Sequence, residues 1–250
     1  MATETMNDGL DALVTGAAGG IGGAVVNALL CDANIRTVVA VSRSGRPPLA
    51  IASSSKLVWL CCDYSEESMQ SVVDQLAVMQ CQFSRVALCH GVLHGDAFWP
   101  EKRLEDLNAE SLNTLFSVNA VVPVLWLKVL RSCLKGDAIC KVAVLSARVG
   151  SISDNELGGW YAYRASKAAL NMLLKTAAIE YARRIKNVKI ISFHPGTTDT
   201  PLSKPFQSSV PSKKLFTTDF VASCLLREMD TADVDGQLSF LDWDGARIEW

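Results

Sequence analysis

The chain has 250 residues, of which 49% are hydrophobic and 20% are charged. These values exclude a disordered chain, which would be poor in apolar residues and would carry a large net charge. The 24 Lys and Arg residues almost balance the 26 Asp and Glu residues, and the net charge of −2 has no basic run within it, so no nucleic-acid partner is expected.

The eight cysteines have no CxxC pair and no even spacing, so the sequence predicts neither a metal site nor a disulfide scaffold. The first residues lack the cationic and apolar regions of a signal peptide. The most apolar segment, Ala120 to Leu134, is interrupted by Pro123, Lys128 and Arg131 and is too short to span a bilayer. We therefore expect a soluble, cytoplasmic protein with no membrane partner.

Short β-branched runs alternate along the chain with amphipathic stretches. The seven predicted strands are Leu10 to Thr15, Arg36 to Ser42, Lys56 to Cys62, Arg85 to Cys89, Ile139 to Ser146, Val188 to His194 and Gln237 to Leu241. The predicted helices are Gly20 to Cys31, Glu66 to Gln80, Asn108 to Leu134, Tyr161 to Ile185 and Thr218 to Met229. Because the strands are apolar throughout, the pattern predicts an α/β fold whose seven-stranded parallel sheet is covered by helices on both faces.

No linker or repeat divides the chain, so residues 1–250 are expected to form a single domain. The segment Thr197 to Ser212 is rich in Pro and Ser, and we expect it to be a long loop. Loops of this length are usually functional, and the segment is a candidate lid over a substrate.

A glycine cluster follows the first strand and opens the first helix, with Gly16, Gly20 and Gly22 around Ile21. Without Cβ atoms the backbone can approach a pyrophosphate closely, and the free N–H groups of the helix N-terminus favour the anion. The sequence therefore predicts a dinucleotide site here. Its spacing, Thr-Gly-x-x-x-Gly-Ile-Gly, resembles the cofactor loop of the short-chain dehydrogenase/reductase family, and the resemblance implies a single-domain Rossmann fold.

The end of the second predicted strand offers no acid to a ribose 2′-hydroxyl. Ser42 and Arg43 suit a 2′-phosphate instead, which favours NADP, with NAD as the alternative; Arg43 as a solvated loop cation is the other interpretation. Asp63 resembles the family's adenine-contacting Asp, unless it caps the next helix in place of Ser65. Of the family's Asn-Asn-Ala-Gly this sequence retains only Gly91, which would pass beside the cofactor.

Tyr163 and Lys167 match the family's Tyr-x-x-x-Lys, and this spacing places them on one face of a helix. A close cation is expected to lower the pKa of the phenol, which would then donate a proton to a carbonyl oxygen. The resemblance implies that both residues also contact the cofactor. It assigns Asn119 to the active site, where it would support a water relay to Lys167.

The family's catalytic serine is replaced by Ala147. Ser146 is the nearest candidate substitute and is taken as the fourth catalytic residue, while Ser151 and Ser153, beyond Gly150, are alternatives. An unreplaced hydroxyl would leave a slow enzyme.

The stretch after the sixth predicted strand resembles the family's Pro-Gly-x-Val-x-Thr, which implies cofactor contacts from Pro195, Gly196, Thr198 and Thr200. Three longer strings, beginning at Ser146, Gly158 and His194, resemble the C-factor branch of the family, near the sniffer-type carbonyl reductases. The resemblance implies an NADPH-dependent carbonyl reductase acting on a small molecule. A cofactor-binding signalling protein with incidental turnover is the alternative.

The sequence leaves the role of four apolar residues undecided. Trp99, Trp160, Leu202 and Phe206 suit a substrate pocket and the core equally well. The helix Asn108 to Leu134 is apolar over more than one face, from which we expect a homodimer or homotetramer. His90 and His94 lie i, i+4 but have no third ligand in view, and no metal is expected.

Overall fold

The computed structural model describes residues 9–45 and 51–250. Its strands in chain order are β1 (Leu10–Thr15), β2 (Ile35–Ser42), β3 (Leu57–Cys61), β4 (Phe83–Leu88), β5 (Cys140–Leu145), β6 (Val188–His194), β7 (Thr197–Thr198), β8 (Leu215–Phe216) and β9 (Ser239–Asp242). Seven of them form one parallel sheet in the order β3-β2-β1-β4-β5-β6-β9. The predicted seven-stranded parallel sheet is confirmed, and β7 and β8 form a separate small pair.

Helices cover both faces of the sheet. They are α1 (Gly20–Cys31), α2 (Glu66–Val78), α3 (Ala109–Phe116), α4 (Val122–Leu134), α5 (Tyr161–Arg184) and α6 (Thr218–Thr231). The buried side chains of α1 and α6 pack on one face, and those of α2, α4 and α5 on the other. A doubly wound fold of this kind needs strands that are apolar on both sides, as the sequence has.

The bounds of β1, α1 and β6 are those predicted, and the other predicted strands end within about two residues of the observed ones. The single helix predicted over Asn108 to Leu134 is wrong in one respect. A π-helical turn at Ser117–Val121 interrupts it, closed by a hydrogen bond from the Val122 N–H to the Ser117 carbonyl. Pro123 is the second residue after this turn and has no N–H to donate to the preceding carbonyls, which is a usual cause of such breaks.

The run 109–134 is the one segment of the described residues whose length and hydropathy would allow it to cross a membrane. Its Trp126, Leu127 and Leu130 are at most 1% exposed within the core of the fold. Packing inside the chain therefore explains part of the apolar character of this helix, of which 33% of the most apolar window is buried.

The segment Thr197 to Ser212 is more regular than the predicted loop. It contains β7 and a 3-10 helix at Lys204–Ser209, followed by a second 3-10 turn at Ser212–Lys214. The Ser203 hydroxyl donates to the carbonyl oxygens of Thr198 and Thr200, which ties the start of the 3-10 helix to the end of β7. The segment lies outside the seven-stranded sheet, and hydrogen bonds within it stabilise its conformation.

Candidate active site

A cavity of about 790 Å³ opens at the carboxyl ends of β1, β4, β5 and β6. The sheet order reverses between β1, which leads outward to β2 and β3, and β4, which leads to the other edge. Crevices at such a reversal are the usual ligand sites of open parallel sheets. Most of the motifs identified in the sequence contribute residues to the lining of this cavity. The exceptions are the end of β2 with Ser42 and Arg43, Asp63 after β3, and Asn119.

The glycine loop forms one wall of the cavity. Gly16 has φ of +69°, and a Cβ there would stand 2.8 Å from the carbonyl oxygen of Cys89. A Cβ on Gly22 would overlap the carbonyl of Gly16, and one on Gly20 would meet the Thr200 methyl at 2.8 Å. Only glycine fits this approach of β1, α1 and the segment after β6.

Helix α1 presents its N-terminus to the cavity at Gly20 and Ile21. Its N-cap residue is Gly19, so no side chain accepts a hydrogen bond from the first N–H groups, and no acidic residue lies in the first turn. These donors are the groups that a pyrophosphate accepts from. The donor set therefore fits the phosphates of a dinucleotide.

The two residues predicted to bind a 2′-phosphate at the end of β2, Ser42 and Arg43, differ in their exposure to solvent. Ser42 is 2% exposed, and its hydroxyl donates to the Ser44 carbonyl at 2.9 Å and accepts from the Ser44 N–H at 3.0 Å. Arg43 is exposed at the next position. The guanidinium is the accessible group here, while Ser42 shapes the turn that presents it.

Asp63 lies at the end of β3 on the same side of the sheet. Its carboxylate accepts hydrogen bonds from the Ser65 N–H and hydroxyl at 2.9 and 2.7 Å, and these bonds lower its pKa. Ser65 in turn accepts from the Ser68 N–H as the N-cap of α2. The expectation that Ser65 rather than Asp63 caps this helix is confirmed.

His90, which replaces the alanine of the family motif, is buried at the end of β4. Its Nδ1 lies 3.4 Å from the Thr15 hydroxyl, and its ring meets the Tyr64 ring edge-on at 4.5 Å. Burial, assisted by the charges of Lys167 and Arg43, lowers its pKa to about 3, so the imidazole is neutral. Its Nε2 is buried with no hydrogen-bond partner among the described residues.

Tyr163 and Lys167 lie one turn apart near the start of α5, as predicted. They are 8% and 2% exposed, and the Lys167 Nζ is 5.9 Å from the centroid of the Tyr163 ring. The Nζ donates to the carbonyl oxygen of Leu145 at 2.9 Å. A Cβ on Gly91 would lie 3.8 Å from the same nitrogen, which places the glycine after β4 beside the pair.

The expected lowering of the Tyr163 pKa is wrong for this environment. Burial raises the pKa of the phenol and lowers that of Lys167 to about 7. Desolvation is the cause of both shifts, and the hydrogen bond of the Lys167 Nζ goes to the Leu145 carbonyl. The phenol is consequently held in its protonated, donating form.

Asn119 is fully buried in the π turn between α3 and α4. Its Oδ1 accepts from the Val92 N–H at 2.8 Å, and its Nδ2 donates to the Val92 carbonyl at 2.9 Å and to the Ser166 hydroxyl at 3.0 Å. The amide therefore ties the segment after β4 to the helix that carries Tyr163 and Lys167.

None of the three candidate serines has a hydroxyl directed at Tyr163 by its hydrogen bonds. The Ser146 hydroxyl donates to Asn171 Oδ1 at 2.8 Å, in a buried network with Ser192. Ser151 and Ser153 bond to each other at 3.2 Å and do not line the main cavity. The wall position that the family fills with serine is occupied by the methyl group of Ala147.

The residues after β6 form the part of the cavity wall that adjoins the glycine loop. Gly196 has φ of +69°, and a Cβ there would overlap the Phe216 ring at 2.6 Å. Pro195, Thr198 and Thr200 line the cavity with it, and the Thr198 carbonyl accepts from the Thr200 hydroxyl at 3.4 Å. The cavity thus brings together these residues, for which the sequence resemblance implies cofactor contacts.

Sequence reasoning missed three residues around the cavity. Arg148 and His194 line it, and Arg148 donates to the Asp242 carboxylate at 2.8 Å. Glu101 is 4% exposed, and its carboxylate accepts from the Ala162 N–H at 3.2 Å, which satisfies one of the free donors in the first turn of α5. No local motif marks Glu101, because it is 61 residues from its partner.

The sequence suggests four apolar residues that suit either a substrate pocket or the core, and the structure places them differently. Trp160, Leu202 and Phe206 line the cavity, whereas Trp99 packs behind Phe206 and is 53% exposed. The open end of the cavity near Tyr163 is thus apolar and aromatic.

A family model described as short chain dehydrogenase matches residues 11–210. The chain is 26% identical over 186 residues to a 1-hydroxy-2-glutathionyl-2-methyl-3-butene dehydrogenase of Rhodococcus sp. (strain AD45), covering 74% of this chain and 76% of that protein. It is 29% identical over 147 residues to C-signal of Myxococcus xanthus, covering 59% of this chain and 83% of that protein.

Solved structures share the whole architecture. The carbonyl reductase Sniffer of D. melanogaster matches with a TM-score of 0.83 at 20% identity, covering 97% of this chain and 100% of that one. An NADPH-bound carbonyl reductase from chicken fatty liver matches with a TM-score of 0.80 at 22% identity, covering 97% and 99%. At such identities these likenesses establish the fold.

Proposed function

The chain belongs to the short-chain dehydrogenase family of oxidoreductases, and we propose that it is an NADPH-dependent carbonyl reductase with Tyr163 as its general acid. The observation that carries the proposal is the buried Tyr163–Lys167 pair beside the cavity whose other wall is the glycine loop. A nicotinamide cofactor bound there would supply hydride to a carbonyl carbon.

The side chains have separate tasks in this proposal. Tyr163, whose pKa is raised by burial, donates its proton to the carbonyl oxygen as the alkoxide forms. Lys167, whose pKa is about 7, changes its charge near neutral pH and binds the end of β5 through the Leu145 carbonyl. Asn119 holds the segment after β4 against α5 through its hydrogen bonds to Val92 and Ser166. Ser146 supports Asn171 rather than the substrate, so the reductase works without a serine donor at Ala147.

NADPH is preferred over NADH in this proposal because of Arg43. The free N–H groups at the start of α1 would hold the pyrophosphate, with Gly16, Gly20, Ile21 and Gly22 giving close approach. Asp63, Gly91, Pro195, Gly196, Thr198 and Thr200 complete the cofactor contacts. The carbonyl reductase from chicken fatty liver, which shares the fold, binds NADPH, and this supports the preference.

The segment Thr197 to Ser212 would act as the substrate lid of a single domain. Thr200 touches Gly20, and Leu202 and Phe206 face the cavity, so the segment bridges the cofactor wall and the open end. Bound NADPH should therefore slow proteolytic cleavage within this segment, and unchanged cleavage would contradict the lid.

The reaction is tested by following NADPH oxidation with a panel of ketones and aldehydes, and by titrating NADPH and NADH fluorescence. Binding with turnover supports the reductase. Binding without turnover would support the second candidate, a cofactor-binding signalling protein, which the missing serine donor and the likeness to C-signal favour. Absence of binding of either nucleotide would contradict both.

We also propose that the protein is a homodimer. Val121 in the π turn and Met172 and Ile179 on α5 are apolar and are 44%, 68% and 41% exposed. Light scattering at micromolar protein should give twice the chain mass, and a monomer mass would contradict the proposal. A cytoplasmic location stays a prediction.

A further inference from the structure

The open end of the cavity is bordered by a connected series of aromatic rings that starts at the proposed acid. The Tyr163 ring lies 6.2 Å from Trp160, and Trp160 lies 5.1 Å from Phe206. Phe206 continues the series to Trp99 at 5.3 Å and to His94 at 5.8 Å. These separations and their tilted or edge-on angles are those at which aromatic rings attract each other.

The two rings that line the cavity are held by different parts of the chain. Trp160 has φ of +53°, a conformation rare for large side chains, and its N–H donates to the Glu101 carbonyl at 2.5 Å. Phe206 lies in the 3-10 helix Lys204–Ser209, which the hydrogen bond of Gln207 to Ser203 braces. Hydrogen bonds therefore hold the backbone that carries each ring.

Charge recognition is weak at this end. None of the described residues that line the cavity is Asp or Glu. The two cations are engaged, Lys167 with the Leu145 carbonyl and Arg148 with the Asp242 carboxylate. Ala147, Val149 and Leu93 add apolar atoms to the wall, and the polar residues of the segment after β6, such as Ser208 and Ser209, are uncharged.

We propose that the substrate is an uncharged ketone or aldehyde that carries an aromatic ring, which packs against the cavity side of Trp160 and Phe206 while its carbonyl oxygen meets the Tyr163 hydroxyl. This inference rests on the proposed reductase function and adds the class of substrate to it. A ring in this position would extend the existing series by one edge-on or offset contact, which a saturated ring of the same size cannot make.

The test compares 4-phenyl-2-butanone with 4-cyclohexyl-2-butanone, whose carbonyl groups are equally reactive because neither ring is conjugated with them. We expect kcat/KM to favour the phenyl compound by about 2- to 10-fold, the range that one aromatic contact supplies. In Phe206→Leu the ratio should fall toward one. Because the ratio compares two substrates on one sample, it does not depend on the fraction of folded enzyme.

Phe220→Leu is the matched control, since Phe220 is 41% exposed on α6, packs against Phe216 and does not line the cavity. It should keep the ratio of the unmodified protein. A ratio at or below one in the unmodified protein, or one that Phe206→Leu leaves unchanged, would overturn the aromatic subsite. Reduction of a small aliphatic aldehyde alone would overturn the subsite but keep the reductase, and no reduction of any carbonyl would overturn both.

Discussion

The Lys167 ammonium group donates to the carbonyl oxygen of Leu145 at 2.9 Å, and this bond joins the proposed catalytic helix to the end of strand β5. The contact explains how a fully buried lysine is tolerated, since its nitrogen has a polar partner. The same nitrogen lies 5.9 Å from the centroid of the Tyr163 ring, and burial raises the pKa of the Tyr163 phenol.

Lys167→Met should stabilise the protein most at low pH. Burial lowers the pKa of Lys167 from 10.5 to about 7, so between these values the unfolded chain binds a proton here that the folded chain does not. The stability of the unmodified protein therefore rises with pH across this window. The advantage of the variant should shrink by at least about 1 kcal/mol from pH 6.5 to 9.5, or about 2–4 °C in Tm.

Thermal unfolding at several pH values measures this difference, with Lys186→Met as a control for the loss of one exposed positive charge. An advantage for Lys167→Met that grows as the pH rises would show that the buried lysine keeps its proton in the folded state.

Ala147→Ser should raise kcat. The side chain of Ala147 lines the cavity at the position where the family carries its serine, and one added oxyanion donor is worth about 10²–10³ in rate when well placed. We expect a gain of about tenfold or more in steady-state kcat with an unchanged KM for NADPH. No gain would mean that another group already fills this role.

Ser146→Ala should cost more in stability than in rate. Its hydroxyl donates to Asn171, and loss of one buried hydrogen bond costs about 1 kcal/mol. We expect kcat to fall by less than about tenfold, measured together with urea unfolding. A fall of about 10² in kcat with unchanged stability would instead make Ser146 the catalytic serine that the sequence suggests.

Arg43→Ala should weaken NADPH binding selectively. A charge-assisted hydrogen bond to a 2′-phosphate is worth about 1.5–3 kcal/mol, so the KM for NADPH should rise by about 10- to 100-fold. The KM for NADH should change little, and Arg184→Ala, at the far end of α5, is the control for net charge. Equal effects on both nucleotides would contradict a 2′-phosphate contact.

The sheet and its helices follow from the sequence because their signals are local. The glycine at position 20 predicts the start of α1, and the apolar run Val188 to His194 predicts β6. The first and last residues of both elements in the structure are those predicted. The π turn at Ser117–Val121 is harder to predict, because Pro123 in a helical pattern can also begin a helix or bend it.

The site can be predicted residue by residue only where a motif spaces its members along one element, as for Tyr163 and Lys167. Contacts between distant segments carry no such signal. The Ser146–Asn171 bond, the Glu101 contact with the start of α5 and the rings of Trp160 and Phe206 join segments that only the fold brings together. The expectation for the pKa of Tyr163 is wrong for the same reason, since burial cannot be read from the i, i+4 spacing.

The reduction of a ketone by NADPH in Tyr163→Phe, compared with the unmodified protein, tests the central claim most directly. The variant removes one hydroxyl from a buried ring, so we expect NADPH affinity within about threefold of the original and kcat lower by about 10²–10⁴, the usual contribution of a general acid. Equal kcat in the two proteins, with binding intact, would contradict Tyr163 as the acid.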